Sequence, residues 1–113
     1  ETILQPGELV LGVEVPRGAA GIVSSYTKFK FREGWDFAVV SVAVVKGGGR
    51  NAVALGGVAP VPWYDAAASA ALARGATADE IAAAALADAD PLEENAYKVP
   101  LARNLVRQAV EEL

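Results

Sequence analysis

The first half of the chain alternates hydrophobic and polar residues with the period of a β-strand. Residues 9–15 and 24–32 follow this pattern, and residues 50–58 form a further apolar segment after a glycine turn at residues 47–49. Residues 35–46 are apolar on both faces, which is typical of a central strand or of a strand with another domain against its second face. The first strand would place four apolar residues on one face: Leu9, Leu11, Val13 and Val15.

The second half of the chain has the residue spacing of helices. Residues 65–73 are rich in alanine and predict a helix that Gly75 would end, because glycine readily adopts the left-handed conformation found there. Residues 77–89 predict a second helix. Its start carries Thr77 and Glu80 at the spacing of a capping box, in which each side chain binds a backbone N–H of the first turn.

A third helix is expected from Pro100 to the end of the sequence, since proline is well tolerated in the first turn of a helix. Its apolar face would consist of Leu101, Leu105, Val106, Ala109, Val110 and Leu113. Strands in the first half and helices in the second half predict an α+β fold. We expect an antiparallel sheet of three to four strands with about three helices packed on it.

The composition restricts the chemistry that the chain can perform alone. Its 113 residues are enough for one domain, and a net charge of −4 argues against general nucleic-acid binding and against a basic membrane patch. The chain has neither cysteine nor histidine, which excludes iron–sulfur ligation and removes the commonest general base and metal ligand. We predict no catalytic residue and no metal site of its own.

The segment 24–32 is expected to carry two different faces. Thr27, Phe29 and Phe31 would point inward, and Tyr26, Lys28, Lys30 and Arg32 would form a basic outer face. That face could hold a phosphate or an electron-rich ring, or it could be a solvated face whose charges prevent strand aggregation. Sequence alone favours the solvated face.

Five segments, read in order, resemble one family: residues 4–16, 26–32, 36–43, 54–60 and 95–103. Together they are similar to the C-terminal domain of the FAD-binding (medium) subunit of molybdenum hydroxylases, such as xanthine dehydrogenase, aldehyde oxidoreductase and carbon monoxide dehydrogenase. The segments APVPW (residues 59–63) and NAYKV (residues 95–99) are closer to the xanthine and aldehyde types. The resemblance covers essentially the whole chain.

The resemblance implies that residues 1–21 are the junction from an FAD-binding domain, including a strand, and that residues 22–113 are the C-terminal domain. It implies a molybdenum cofactor on a large subunit and [2Fe-2S] centres on a small subunit, from which electrons reach FAD and then an acceptor. Lys28 matches a lysine that approaches the flavin, Val10 matches an apolar position near the ring, and Tyr26 is a neighbouring candidate. Most FAD contacts would come from the preceding domain, so the isolated chain should bind FAD weakly or not at all.

The resemblance is compatible with a cytoplasmic enzyme, or with a periplasmic one if the complex is exported. The main alternative is a stand-alone α+β interaction domain without a redox role, using the strand at residues 35–46 or a helical face. A third interpretation is a small anion-binding protein that uses Lys28, Lys30 and Arg32. Trp35, Trp63 and Tyr64 could form a binding surface, but packing in the core or between domains is the favoured expectation.

Overall fold

Four strands precede three helices in the computed structural model, which describes residues 3–14, 17–18 and 20–113. The strands are β1 (Val23–Phe29), β2 (Val40–Gly47), β3 (Arg50–Gly56) and β4 (Trp63–Asp65), and the helices are α1 (Ala66–Ala73), α2 (Ala78–Ala85) and α3 (Lys98–Glu111). The strands form one antiparallel sheet in the order β1-β2-β3-β4. This arrangement confirms the predicted α+β fold, with four strands and three helices.

The hydrophobic core lies between one face of the sheet and the three helices. Val40, Val42 and Val44 alternate along β2 and are fully buried beneath the helical layer. The helices meet them with small and medium side chains, among them Ala68, Leu72, Ile81, Ala102, Val106 and Ala109. Burying one valine or isoleucine side chain stabilises a fold by roughly 1.5–3 kcal/mol, so this single core holds the two layers together.

The helix ends follow from local sequence signals. Asp65 caps α1, its Oδ1 accepting from the Ala68 N–H at 2.6 Å, and Gly75 follows the helix with a φ of 75°. The capping box of Thr77 and Glu80 is present at the start of α2, although this helix ends at Ala85 and is shorter than predicted. Helix α3 begins two residues before Pro100. Proline is tolerated there because the first four N–H groups of a helix have no hydrogen-bond partner within it.

The predicted strand at residues 9–15 is wrong for the residues that the structure describes. Residues 9–14 belong to no strand, and Val15 lies outside the described residues. Leu11, predicted to share a buried face with Leu9 and Val13, is 98% exposed, and the other two are also exposed. An alternating segment forms a stable strand only when a neighbouring strand supplies backbone hydrogen bonds and another layer covers its apolar face. No described strand pairs with residues 9–14.

The loop between β1 and β2 is longer than the sequence predicted. Strand β1 ends at Phe29 rather than residue 32, β2 begins at Val40 rather than residue 35, and the Val39 N–H donates to the Phe29 carbonyl at 2.9 Å. The predicted inward position of Phe31 is therefore wrong, and Phe37 lies outside the strand that was predicted to contain it, because both residues lie in this loop with exposed rings. We call residues 30–39 the basic loop.

Strand β4 was missed by the sequence prediction, whose last strand segment was residues 50–58. Its three residues pair with β3, and Trp63 and Tyr64 are partly exposed there rather than packed in the core. Strand β3 ends at Gly56 rather than residue 58, because Gly57 turns the backbone with a φ of 76°. The turn at residues 47–49 is confirmed, with positive φ at all three glycines.

Candidate functional site

The sheet face opposite the helices is covered by no other strand or helix of the described chain. Its side chains come from alternate positions of all four strands, since antiparallel partners point to the same face. They are Ser24, Tyr26, Lys28, Ser41, Ala43, Val45, Ala52, Ala54, Gly56 and Tyr64. We call this surface the open face.

A row of directly opposite residues crosses the middle of the open face. Tyr26 pairs with Ala43, Ala43 with Ala54, and Ala54 with Tyr64. The two tyrosines on the outer strands are 65% and 59% exposed, and the two alanines between them are half-buried. Directly opposite side chains in a sheet lie only about 5 Å apart, so this row forms a shallow trough with a tyrosine on each side.

A second row lies beside the first and contains a cation. Lys28 pairs with Ser41, and Ser41 pairs with Gly56. The Ser41 hydroxyl lies 2.5 Å from the position that a Cβ on Gly56 would occupy, so the hydroxyl fills the space left by the missing side chain. The Lys28 Nζ donates to the Asp36 carbonyl at 3.3 Å, which joins the basic loop to this end of the open face.

The basic loop is held by its own charged side chains. The Arg32 guanidinium donates to both carboxylate oxygens of Asp36, at 3.2 and 3.1 Å. The Lys30 Nζ donates to the carbonyls of Glu33 and Gly34, at 2.6 and 2.9 Å. These hydrogen bonds from Arg32 lower the pKa of the Asp36 carboxyl from its ordinary value, and burial opposes them only in part.

The predicted basic face is therefore divided between two places. Tyr26 and Lys28 lie two residues apart on the same side of β1, as the alternation predicted. Lys30 and Arg32 lie beyond the end of the strand, where they bind the basic loop instead of forming a shared anion site. Val10, the third predicted flavin contact, is 65% exposed in a segment outside the sheet.

Sequence analysis named Tyr64 as a possible surface or packing residue but did not place it on the sheet, where it completes the row across the open face. Its pairing with Ala54 depends on the three-residue strand β4, for which the sequence gives no alternation long enough to recognise. The only local signal is the pair of adjacent aromatic residues Trp63 and Tyr64 directly before the capping Asp65.

A separate cleft of about 250 Å³ lies on the helical side of the sheet. Two of the segments that carry the family resemblance meet there, because the Lys98 Nζ donates to the Gly57 carbonyl at 2.9 Å. Among the described residues, no group of three or more acidic, histidine or cysteine side chains could hold a metal ion. No helix in the same part of the chain is long and apolar enough to cross a membrane.

No family model matches the chain. A curated protein, the aldehyde oxidoreductase FAD-binding subunit PaoB of Escherichia coli (strain K12), is 40% identical over 113 residues, which is 99% of this chain and 35% of that protein. The chain thus spans about a third of the length of this curated relative.

Solved structures have the same fold over most of the chain. Carbon monoxide dehydrogenase from Hydrogenophaga pseudoflava, lacking the Mo-pyranopterin moiety of its cofactor, contains a chain that is 35% identical with a TM-score of 0.72, matching 86% of this chain and 38% of that one. Reconstituted CO dehydrogenase from Oligotropha carboxidovorans gives 28% identity and a TM-score of 0.71, with the same coverage of 86% and 38%. Quinoline 2-oxidoreductase from Pseudomonas putida 86, at 20% identity and a TM-score of 0.68 over 81% of this chain and 36% of that one, shares the fold.

Proposed function

Because this chain belongs to the family of FAD-binding subunits of molybdenum hydroxylases, we propose that it is the C-terminal domain of such a subunit in an aldehyde- or xanthine-type enzyme. In this proposal it completes one wall of a flavin site whose other wall is formed by a preceding domain. Residues 1–21 are then the junction from that domain, and residues 22–113 are the C-terminal domain itself. The observation that carries the proposal is the open face, with Tyr26 and Lys28 side by side on β1.

The residues of the open face suit a flat, electron-rich ring better than a metal centre. Tyr26 offers an aromatic face and a hydroxyl, Lys28 offers a positive charge, and Ala43 beside them leaves room for close approach. When bound, FAD supplies the ring that carries electrons between iron–sulfur centres and a final acceptor. The chain contributes one side of such a site, because the open face lacks the glycine-rich loop needed to hold a pyrophosphate.

Lys28 is the residue most suited to act on the ring. Its ammonium group donates a single exposed hydrogen bond of 3.3 Å to the Asp36 carbonyl, which is long for a charged donor and can be exchanged at little cost. Directed to the ring, the same group would stabilise negative charge as electrons arrive. Val10 is exposed in the adjoining segment, where it would contact the ring only after a neighbouring domain positions it.

The other redox groups are proposed to lie on partner subunits. The chain contains no cysteine, so the [2Fe-2S] centres would be bound by a small subunit, and the molybdenum cofactor by a large subunit. Substrate would be oxidised on the large subunit, and electrons would pass through the iron–sulfur centres to the flavin. This chain would take no part in the oxidation of substrate itself.

We predict that Lys28→Ala in the complete subunit lowers FAD occupancy or slows reoxidation of the reduced flavin. A charge-assisted hydrogen bond contributes about 1.5–3 kcal/mol, which corresponds to roughly a tenfold to hundredfold effect. Flavin content is measured by absorbance after release from the protein, and reoxidation by stopped-flow spectroscopy. Lys46→Ala removes an exposed cation elsewhere on the sheet and serves as the control. Unchanged flavin content together with unchanged reoxidation in Lys28→Ala would exclude this role.

The second candidate is a stand-alone interaction domain, favoured by the almost complete exposure of Trp35 and Phe37 in the basic loop. Exposed aromatic side chains of this kind are frequent anchors in protein interfaces. The two candidates differ in the length of the native polypeptide and in its flavin content. Intact mass measurement of the protein purified from its source distinguishes them, because a 113-residue polypeptide without flavin supports the interaction domain.

A further inference from the structure

We infer that the cleft on the helical side of the sheet binds a small organic cation, made of one flat ring and a charged group that carries N–H donors. Aromatic amidines and aromatic amines belong to this class. The cleft and the open face lie on opposite sides of the sheet, so this site is separate from the proposed flavin site and does not depend on it.

The cleft has the size of a site for one substituted ring. Strands β3 and β4 contribute Leu55, Trp63 and Asp65 to its walls, because Tyr64 between the last two points to the open face. The remaining walls come from the segment after α2 and from the first half of α3. Its volume of about 250 Å³ exceeds the roughly 150 Å³ of a protein cavity that holds benzene, which leaves room for a short substituent on the ring.

Trp63 supplies an aromatic wall to the cleft. Its side chain is about half exposed, so a ligand can reach the indole ring. The indole N–H donates to the Asp65 Oδ2 at 3.4 Å, and Asp65 is itself held by its hydrogen bond to the first turn of α1. Tryptophan attracts a cation over its ring face more strongly than the other aromatic residues do. This wall therefore favours a flat ligand that carries positive charge.

The charge of the cleft is negative. Its lining contains the carboxylates of Asp65, Asp88 and Asp90 and the ammonium group of Lys98. Lys98 already donates to the Gly57 carbonyl at 2.9 Å. Neither Asp88 nor Asp90 forms an ion pair with a described residue. Carboxylates in excess on the walls of a cleft attract cations and repel anions, so the cleft selects a ligand of positive charge.

The end of helix α2 adds to this negative potential. Asp88 lies two residues beyond the C-cap Leu86, and the last turn of α2 contains no basic residue. The C-terminal end of a helix carries partial negative charge, so a carboxylate close to it is unfavourable. A cation bound in the cleft would interact favourably with this carboxylate and with the helix end at the same time.

Asn95 contributes a hydrogen-bond acceptor to the lining of the cleft. Its Oδ1 is buried, and no described residue donates a hydrogen bond to it. A buried acceptor without a partner is costly to the fold, so its place in the wall of a cleft points to a ligand that supplies the donor. Rotation of the amide exchanges Oδ1 and Nδ2, which allows a ligand N–H to reach the oxygen.

The test is a titration of the complete subunit with benzamidine, a planar aromatic cation, and with benzamide, its neutral isostere. Saturation-transfer NMR on the ligand signals measures binding. We expect saturable binding of benzamidine with a Kd of about 1 mM or below, and binding of benzamide at least about tenfold weaker. Removal of FAD should leave both affinities unchanged, because the cleft and the open face lie on opposite sides of the sheet.

Substitutions in the wall of the cleft locate the site. Asp88→Asn combined with Asp90→Asn should weaken benzamidine binding at least about tenfold. Glu93→Gln, which removes an exposed charge nearby in the sequence but outside the lining, should leave binding unchanged. Asn95→Leu should weaken binding without lowering the thermal unfolding temperature, since it removes an acceptor that has no partner among the described residues.

The absence of saturable benzamidine binding, or equal affinity for benzamidine and benzamide, would overturn the site. Binding that requires FAD would also overturn it, as would an equal loss of affinity in Glu93→Gln and in the double aspartate variant. If Asn95→Leu fails to fold, Trp63→Leu gives a second test, because it removes the aromatic wall and should weaken binding of benzamidine. Unchanged binding in that variant would equally contradict the site.

Discussion

At the scale of single residues, Gly57 shows most clearly how sequence fixes this fold. Its φ is 76°, and a Cβ at this position would lie 2.6 Å from the Val39 carbonyl oxygen and 3.0 Å from that of Ala38. Its own carbonyl accepts from the Lys98 Nζ, which joins the end of β3 to the start of α3. Gly57 therefore allows a close backbone approach to residues 38 and 39, and Gly56 beside it leaves room for the Ser41 hydroxyl.

We predict that Gly57→Ala lowers the free energy of unfolding by more than about 3 kcal/mol, since positive φ and backbone overlap both penalise a side chain. Gly75→Ala is the control, because Gly75 has nearly the same φ of 75° with no atom within 4 Å of an added Cβ. That control should lose only about 1 kcal/mol. Urea unfolding followed by circular dichroism measures both. Equal losses in the two variants would show that overlap with Val39 has no effect.

At the scale of elements, local signals were the most predictable part of the structure. The capping box of α2, the glycine after α1 and the turn at residues 47–49 each depend on a few consecutive residues, and each was recognised from sequence. Tyr26 and Lys28 were also placed correctly on one face, because alternation within a strand fixes side-chain direction.

Elements that depend on distant partners were not predictable from the sequence. The sequence of the basic loop continues the strand patterns of β1 and β2. In the structure, side-chain hydrogen bonds from Lys30 and Arg32 to other residues of the loop take the place of strand pairing. Strand β4 exists only through its pairing with β3, so Tyr64 could not be assigned to the site. The segment at residues 9–14 has a strand pattern and no described strand to pair with.

The capping box gives a prediction with a defined pH dependence. Hydrogen bonds from the Thr77 backbone N–H, and then from its hydroxyl, hold the pKa of Glu80 below its ordinary value of 4.5. A carboxylate with a lowered folded-state pKa stabilises the fold fully above pH 4.5, and this contribution is lost as the pH falls through the folded-state pKa. Helix α2, and with it the buried Ile81, should therefore weaken in acid.

We predict that Glu80→Gln destabilises the protein at neutral pH and that its difference from wild type shrinks below pH 4.5. Urea midpoints across this range measure the effect, with Glu93→Gln as an exposed control. Thr77→Ala, which removes the other half of the box, should cost about 1 kcal/mol at neutral pH. A constant difference between Glu80→Gln and wild type from neutral to acid pH would contradict the ionic contribution.

At the scale of the whole molecule, the described residues form two layers, and none of their strands or helices covers the open face. The stability of the described chain comes from the side where β2 and β3 meet the helices. The open face contributes less, because the side chains at its centre are small and half-buried and those at its edges are exposed. Substitutions of Val44 and Val45, which point to opposite faces of β2, measure this difference in stability.

We predict that Val44→Ala lowers the free energy of unfolding by about 2–3 kcal/mol, through two lost methyl groups and the cavity they leave. Val45→Ala, one residue later on the open face, should lower it by less than about 1 kcal/mol. Denaturation in urea compares the two in the 113-residue chain. A similar loss for both would mean that the open face is already packed without any other domain.

The chain-order pairing of the strands also determines how the sheet can assemble. Strands β2 and β3 are joined by a turn so short that Gly47 lies opposite Arg50, and their pairing places Val42, Val44 and Val53 together on the face that the helices cover. A hairpin of this kind closes within microseconds, whereas β1 can join only after the ten-residue basic loop has been ordered. The β2–β3 hairpin is thus the expected folding nucleus. Destabilising substitutions in this hairpin should slow folding, whereas those in β4 should mainly speed unfolding.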